Sequence, residues 1–201
     1  MRWLAFLVCI ACAAAAGAQQ DPVRSLREIR QEKVVIQQWD TSCGAAALAT
    51  LLRYQHGLPV SEKQIAEAML RRSDPLKVKT RGGFSLLDLK RYADRQGLEG
   101  IGYLKLGLDD LVEMAPILVP VVVRGYPHFV VVRGIARDDV LIADPAFGNR
   151  TMDVRSFEKA WAGNIGFIVR RRDGLAPPNE LTERPTDRLR PSDAAVRSAL
   201  R

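Results

Sequence analysis

From Gly100 onward the chain is a succession of short β-branched runs, GIGYLKL, ILVPVVVR, HFVVVRGI and VLIADP, each bounded by Gly, Pro or Asp. Runs of this length and content are predicted strands, because branched side chains suit a pleated surface and the flanking residues turn the chain. Arg137-Asp138-Asp139 leaves room only for a tight link, so HFVVVRGI and VLIADP are predicted to pair as an antiparallel hairpin. Asp109 to Met114 and Ser156 to Trp161 read as helical turns, and IGFIVRR as a last strand. The first half of the chain has the opposite character. GAAALATLLRY, residues 44–54, is built from strong helix formers with no breaker before Gly57. Ser61-Glu62-Lys63-Gln64 has capping-box form and opens a second helix ending near Arg72; Ser85-Leu86-Leu87-Asp88 opens a third, which Gly97 ends. The charged, Gly-containing stretch before Gly83 is read as a loop. Helices first and strands second around one core is the α+β class, with N-terminal helices packed on a C-terminal antiparallel sheet. A content of 47% hydrophobic and 26% charged residues supports such a core and excludes collagen-like, coiled-coil and wholly disordered chains.

The two ends are of different material. Residues 1–18 run from a basic residue, Arg2, through an apolar stretch to Ala16-Gly17-Ala18, the order of a cleavable secretory signal. Periplasmic export is the expectation, favoured over a lipoprotein anchored at Cys12 or an uncleaved membrane anchor. Residues 19–33 form a charged arm and 34–172 the folded domain, which Val34-Val35-Ile36 enters as a strand or extended segment. Residues 173–201 are rich in Pro and Arg and are expected to be disordered or loosely docked. Membrane contact is expected only through the signal or, weakly, through that tail's arginines. The formal charge of +7 brings neither an aromatic platform nor a recognition helix, so no nucleic-acid partner is expected.

Removing the signal removes Cys9 and Cys12, leaving Cys43 as a solitary thiol in an exported chain, where cysteines usually pair. Cys43 stands where IQQWDTS meets the Ala-rich helix, and a helix N-terminus stabilises a thiolate. A buried structural cysteine is the plain alternative. Of the two histidines, His56 lies thirteen residues on, at the far end of the same helix, and is read as a surface or helix-capping residue. His128 opens HFVVVRGI at a strand mouth, where it can project over a cleft as a base. Asp144 follows sixteen residues later, and hairpin pairing about Asp138-Asp139 brings it beside His128, able to orient the imidazole. Gln37, six residues before Cys43, can donate to an oxyanion together with the Cys43 backbone N–H; Gln38 is its less favoured neighbour. Asp40 and Ser42 are read as loop-shaping. One thiol and two separated histidines are too few clustered ligands for a metal, and no cofactor is expected.

QQWDTSCGAAALATLLRY, followed by PHFVVVRG and then IADPA, resembles the bacteriocin-processing, double-glycine-leader cysteine peptidases of the papain-like clan. The likeness spans Val34 to Arg171 and implies a papain-like fold and peptide-bond hydrolysis. It implies Cys43 as nucleophile, His128 as base, Asp144 as its orienter and Gln37 as oxyanion donor. Many members carry an acidic residue directly before the cysteine, where this chain has Ser42. With a signal and no exporter, the chain looks like the stand-alone exported members, including the periplasmic peptidase of functional-amyloid secretion operons. The expected partner is a protein or peptide substrate from a secretion or amyloid system. The rival reading is a non-catalytic cargo-binding module of the same fold; other thiol acyl transfer, such as a transglutaminase-like reaction, is a lesser one.

Overall fold

In the computed structural model residues 24–182 and Asp187 are described; the predicted signal and the rest of the tail lie outside the described residues. Helix α1 (Leu26–Gln31) opens with a reciprocal Ser25–Glu28 capping box and buries nothing, as a charged arm should. Val34-Val35-Ile36 is extended but is not a sheet strand; Val35 donates its N–H to Thr50 Oγ1 instead. Then come α2 (Cys43–Tyr54) and α3 (Glu62–Leu70), the latter capped by Ser61. The stretch read as a loop contains a further helix, α4 (Pro75–Arg81). Its signals are local: Asp74 caps Leu76 N–H, Pro75 takes the first position, and Gly82 ends it at φ 78°. Helix α5 (Leu86–Arg95) follows from Ser85.

The second half runs β1 (Leu98–Tyr103), α6 (Leu108–Met114), β2 (Ile117–Val123), β3 (Tyr126–Ala136), β4 (Asp139–Asp144), β5 (Gly148–Asp153), α7 (Val154–Ala160) and β6 (Gly166–Arg171). All strand pairs are antiparallel, in the order β1-β6-β2-β3-β4-β5. Strand β5 was not anticipated. GNRTMD has a single β-branched residue, and as the last strand it pairs only with β4.

The sheet has two cores because both faces are covered, and this is why its central strands read as unbroken apolar runs. On one face Leu118, Val131, Ala143 and Phe167 meet Leu48, Leu51, Ile65 and Leu89 of the helices. On the other, Val119, Val130, Val132 and Ile142 meet Leu111, Phe157 and Trp161. Helix α2 is buried from Cys43 to Leu52, and its alanines let it lie close to the sheet. Gly44 belongs to that approach: a Cβ there would stand 3.2 Å from Phe129 Cδ2. At the β1 side, Gly100 donates its N–H to Asp94 and accepts Lys90 Nζ at its carbonyl, both from α5. At the β5 side, Asn149 Nδ2 donates to the carbonyls of Arg30 and Glu32 in the arm.

One expectation is corrected. His56 is buried, not a surface or capping residue: its Nε2 hydrogen-bonds Val169 O at 3.1 Å, and burial first of all depresses its pKa. The tail, expected to be disordered or loosely docked, is exposed from Gly174 to Ala176 and docks from Asn179 onward in its described part. Asn179 and Glu180 donate their N–H groups to Gln55 O and Tyr54 O, and Leu181 is fully buried.

Candidate active site

Cys43 is the first residue of α2, a buried free thiol. Ser42, before it, gives no side-chain cap to the helix. Its hydroxyl lies instead 2.7 Å from Trp39 O and in a short contact with the Glu62 carboxylate. Glu62, buried in the first turn of α3, also accepts the Gln38 backbone N–H with both oxygens, at 2.9 and 3.1 Å. The loop before Cys43 is thus fixed from below. The positive end of α2 is left without a capping side chain or a first-turn acid to neutralise it.

His128 near the start of β3 meets both partners anticipated for it. Its Nε2 is 2.7 Å from Asp144 Oδ1, and the Cys43 thiol lies near enough to its ring to help raise the imidazole pKa. An ionised carboxylate only accepts, so Nε2 carries the proton toward Asp144, and Nδ1 is the nitrogen left for sulfur. Asp144 has no solvent exposure and accepts two further bonds, from Arg150 Nε at 2.8 Å and Ala146 N–H at 2.9 Å. Burial disfavours the imidazolium, but hydrogen bonds to Asp144 and Cys43 and their charges outweigh it, and the His128 pKa is raised to about 9. Burial likewise opposes ionisation of Asp144, yet bonding to His128, the charges of His128 and Arg150, and the Ala146 N–H hold it below the usual carboxylate range.

Gln37 joins the cluster through its backbone, whose N–H donates to Pro145 O at 2.9 Å, next to Asp144. Its Nε2 donates to Trp39 O at 3.0 Å, which fixes the amide and leaves its second N–H uncommitted by that bond. Gln38 supports the loop, through Glu62 and Ile36 O. Two contributors were not anticipated. Arg150 lies on β5, the strand that itself carried no signal; Glu62 was visible only as part of a capping pattern. Beside Cys43 opens a narrow cleft of about 130 Å³, lined by His128, Phe129, Pro127, Pro120 and the Gly82-Gly83-Phe84 turn. Among the described residues no group of three or more His, Cys, Asp or Glu is placed to hold a metal ion.

A thiol at the mouth of a buried helix, an imidazole from a strand and a carboxylate behind it, on an α+β frame, define the class: a papain-like cysteine peptidase. The chain belongs to the Peptidase C39 family, whose profile matches residues 31–173. It is 38% identical over 182 residues to the "Probable functional amyloid protease FapD" of Pseudomonas aeruginosa, covering 87% of this chain and 80% of the relative. To the protein of the same description from Pseudomonas fluorescens it is 41% identical over 165 residues, covering 82% of this chain and 71% of that one. Among solved structures, a double-glycine-motif protease from an AMS/PCAT transporter, in complex with its leader peptide, matches with a TM-score of 0.57 and 26% identity over 69% of this chain and 90% of its own. The peptidase domain of Streptococcus ComA matches in fold, with a TM-score of 0.58 at 22% identity over 69% of this chain and 98% of its own.

Proposed function

We propose that this peptidase is an exported endopeptidase that cuts a protein of a secretion or amyloid system, with Cys43 as nucleophile, His128 as base, Asp144 as its orienter and Gln37 as oxyanion donor. The observation that carries the reading is the His128 imidazole held between the Cys43 thiol and the buried Asp144. His128 Nδ1 takes the thiol proton and the thiolate attacks the peptide carbonyl. The Gln37 amide and the Cys43 N–H stabilise the tetrahedral oxyanion. His128 then protonates the leaving amine, and water attacks the thioester, returning its proton through His128 and releasing the acid. Relatives described as functional amyloid proteases, 38% and 41% identical, support the substrate class, and the signal-like first 18 residues support export. A leader peptide bound to the transporter protease supports a peptide ligand.

Alkylation of Cys43 by iodoacetamide near pH 6 tests this directly. The raised pKa of His128 keeps a positively charged imidazolium as the partner of the sulfur at that pH, and such a neighbour makes a cysteine more reactive. The intact protein should label at least about tenfold faster than His128→Ala, since nucleophilicity falls as the thiolate is stabilised and so limits the ratio. Equal rates remove the catalytic reading and leave a cargo-binding module. Gln37→Ala should lower kcat by on the order of 100- to 1000-fold with KM little changed, because its donor acts in the transition state. An unchanged kcat assigns the oxyanion to other donors.

A further inference from the structure

Strands β3 and β4 are out of step with themselves. From Ala136↔Asp139 to Gly134↔Leu141 they pair in one register, and from Val132↔Ile142 to Val131↔Ala143 in another; Arg133 is the extra residue between. Facing residues in a ladder point to the same side of the sheet, so a shift of one residue changes which side each residue of a strand shares with its partner. Continuing the first register would set Asp144 opposite Val131, on the other side from His128. Continuing the second sets it opposite Val130, and His128, two residues along a regular stretch of β3, shares that side. The Asp144–His128 bond therefore depends on the bulge.

Arg133 is an unusual residue to find there, because a buried guanidinium is costly unless every donor is matched. Its side chain is only 3% exposed, and four of its five N–H donors are matched: Nε to Leu181 O at 3.1 Å, Nη1 to Asn149 Oδ1 at 3.3 Å, and Nη2 to Thr182 O and Asp187 Oδ2, each at 2.9 Å. Three of the four acceptors belong to the segment that follows the last strand, and Asn149 in turn holds the arm. None of these four bonds is to Cys43 or His128.

We propose that Arg133, seated by Leu181, Thr182 and Asp187, is a positioning residue of the active site: by fixing the β3 bulge it keeps Asp144 on the side of the sheet where His128 can use it. The inference rests on the triad reading above and adds that the C-terminal segment is part of the machinery. The test follows the His128 ring nitrogen shifts through a pH titration, together with iodoacetamide labelling near pH 6. Both are made on the full chain and on Arg133→Gln, Arg133→Lys and Asp187→Asn. Arg133→Gln should move the His128 midpoint down by at least about one pH unit and slow labelling by roughly tenfold. Arg133→Lys, which keeps the charge for Asp187 but not the carbonyl contacts, should recover part of both. Asp187→Asn should move both in the same direction by less. A merely structural role lowers Tm while leaving the His128 midpoint and the labelling rate at their original values, and that result overturns the proposal. Should Arg133→Gln fail to fold, Asp187→Asn, which removes a charge but no bulk, decides by the same criterion. Failure of the triad itself is read separately, from the intact protein labelling no faster than His128→Ala.

Discussion

Cys43→Ala is expected to abolish cleavage, lowering turnover by on the order of 10,000-fold or more, while leaving the fold in place. The argument for an intact fold is local. Cys43 is the first residue of a helix that continues Gly-Ala-Ala-Ala, alanine is the best helix former, and the substitution removes only one sulfur atom beside an open cleft. The argument for lost activity is that water delivered by His128 alone lacks the covalent step that divides peptide hydrolysis into two easier ones. Cys43→Ser should behave alike, since a hydroxyl gives up its proton far less readily than a thiol. Comparing periplasmic peptides from cells holding the wild-type chain or Cys43→Ala measures the effect and maps the cut sites as N-termini that disappear. Wild-type cleavage by purified Cys43→Ala would mean that the nucleophile lies elsewhere.

Asp144→Asn should lower kcat by about 1000- to 10,000-fold and also move the alkaline limb of activity, which a purely structural loss would not. In the intact site His128 holds its proton to about pH 9. Without the carboxylate, burial still opposes the imidazolium, and the Arg150 guanidinium, 2.8 Å from Asp144 Oδ2 in the native site, becomes a like-charged neighbour. The limb should therefore fall to or below the ordinary imidazole value of about 6.5. Stability follows with a definite sign. His128 has a raised folded value, so its contribution is complete below about pH 6.5 and is lost as pH rises through about 9. Asp144 has a lowered one, so its contribution is present above its ordinary range and is lost on acidification. Thermal melts between pH 6 and 10 should slope downward for the native chain and lie flatter for Asp144→Asn. An unshifted limb in the variant would show that Asp144 does not set the state of His128.

The parts of this molecule that are written locally could be read from the chain. Ser61 and Ser85 announce their helices because capping involves residues three apart, and β2, β3 and β4 announce themselves because strands buried on both faces need unbroken apolar runs. The sixteen-residue separation of His128 and Asp144 was enough to bring them close, but not to decide on which side of the sheet each would point. That parity rests on Arg133, a polar residue inside VVVRGI whose partners are about fifty residues farther on and carry no mark in the sequence. The same holds for Arg150 and Glu62, which reach the site from separate elements, and for His56, whose burial depends on β6 packing against the end of α2. Helix α4 is a different case. Asp74, Pro75 and Gly82 spelled it out, and its charge content concealed it.

The side-chain contacts at Gly100 and Asn149 bear on the company this enzyme is proposed to keep. Fibril-forming chains grow by adding a strand to any margin that offers unclaimed main-chain N–H and C=O groups. At one margin of this sheet Asp94 and Lys90 occupy the outward groups of Gly100, and at the other the arm lies tethered along β5 through Asn149. Each margin is thereby partly occupied, at Gly100 and beside Asn149, which shortens the main-chain template open to an added strand.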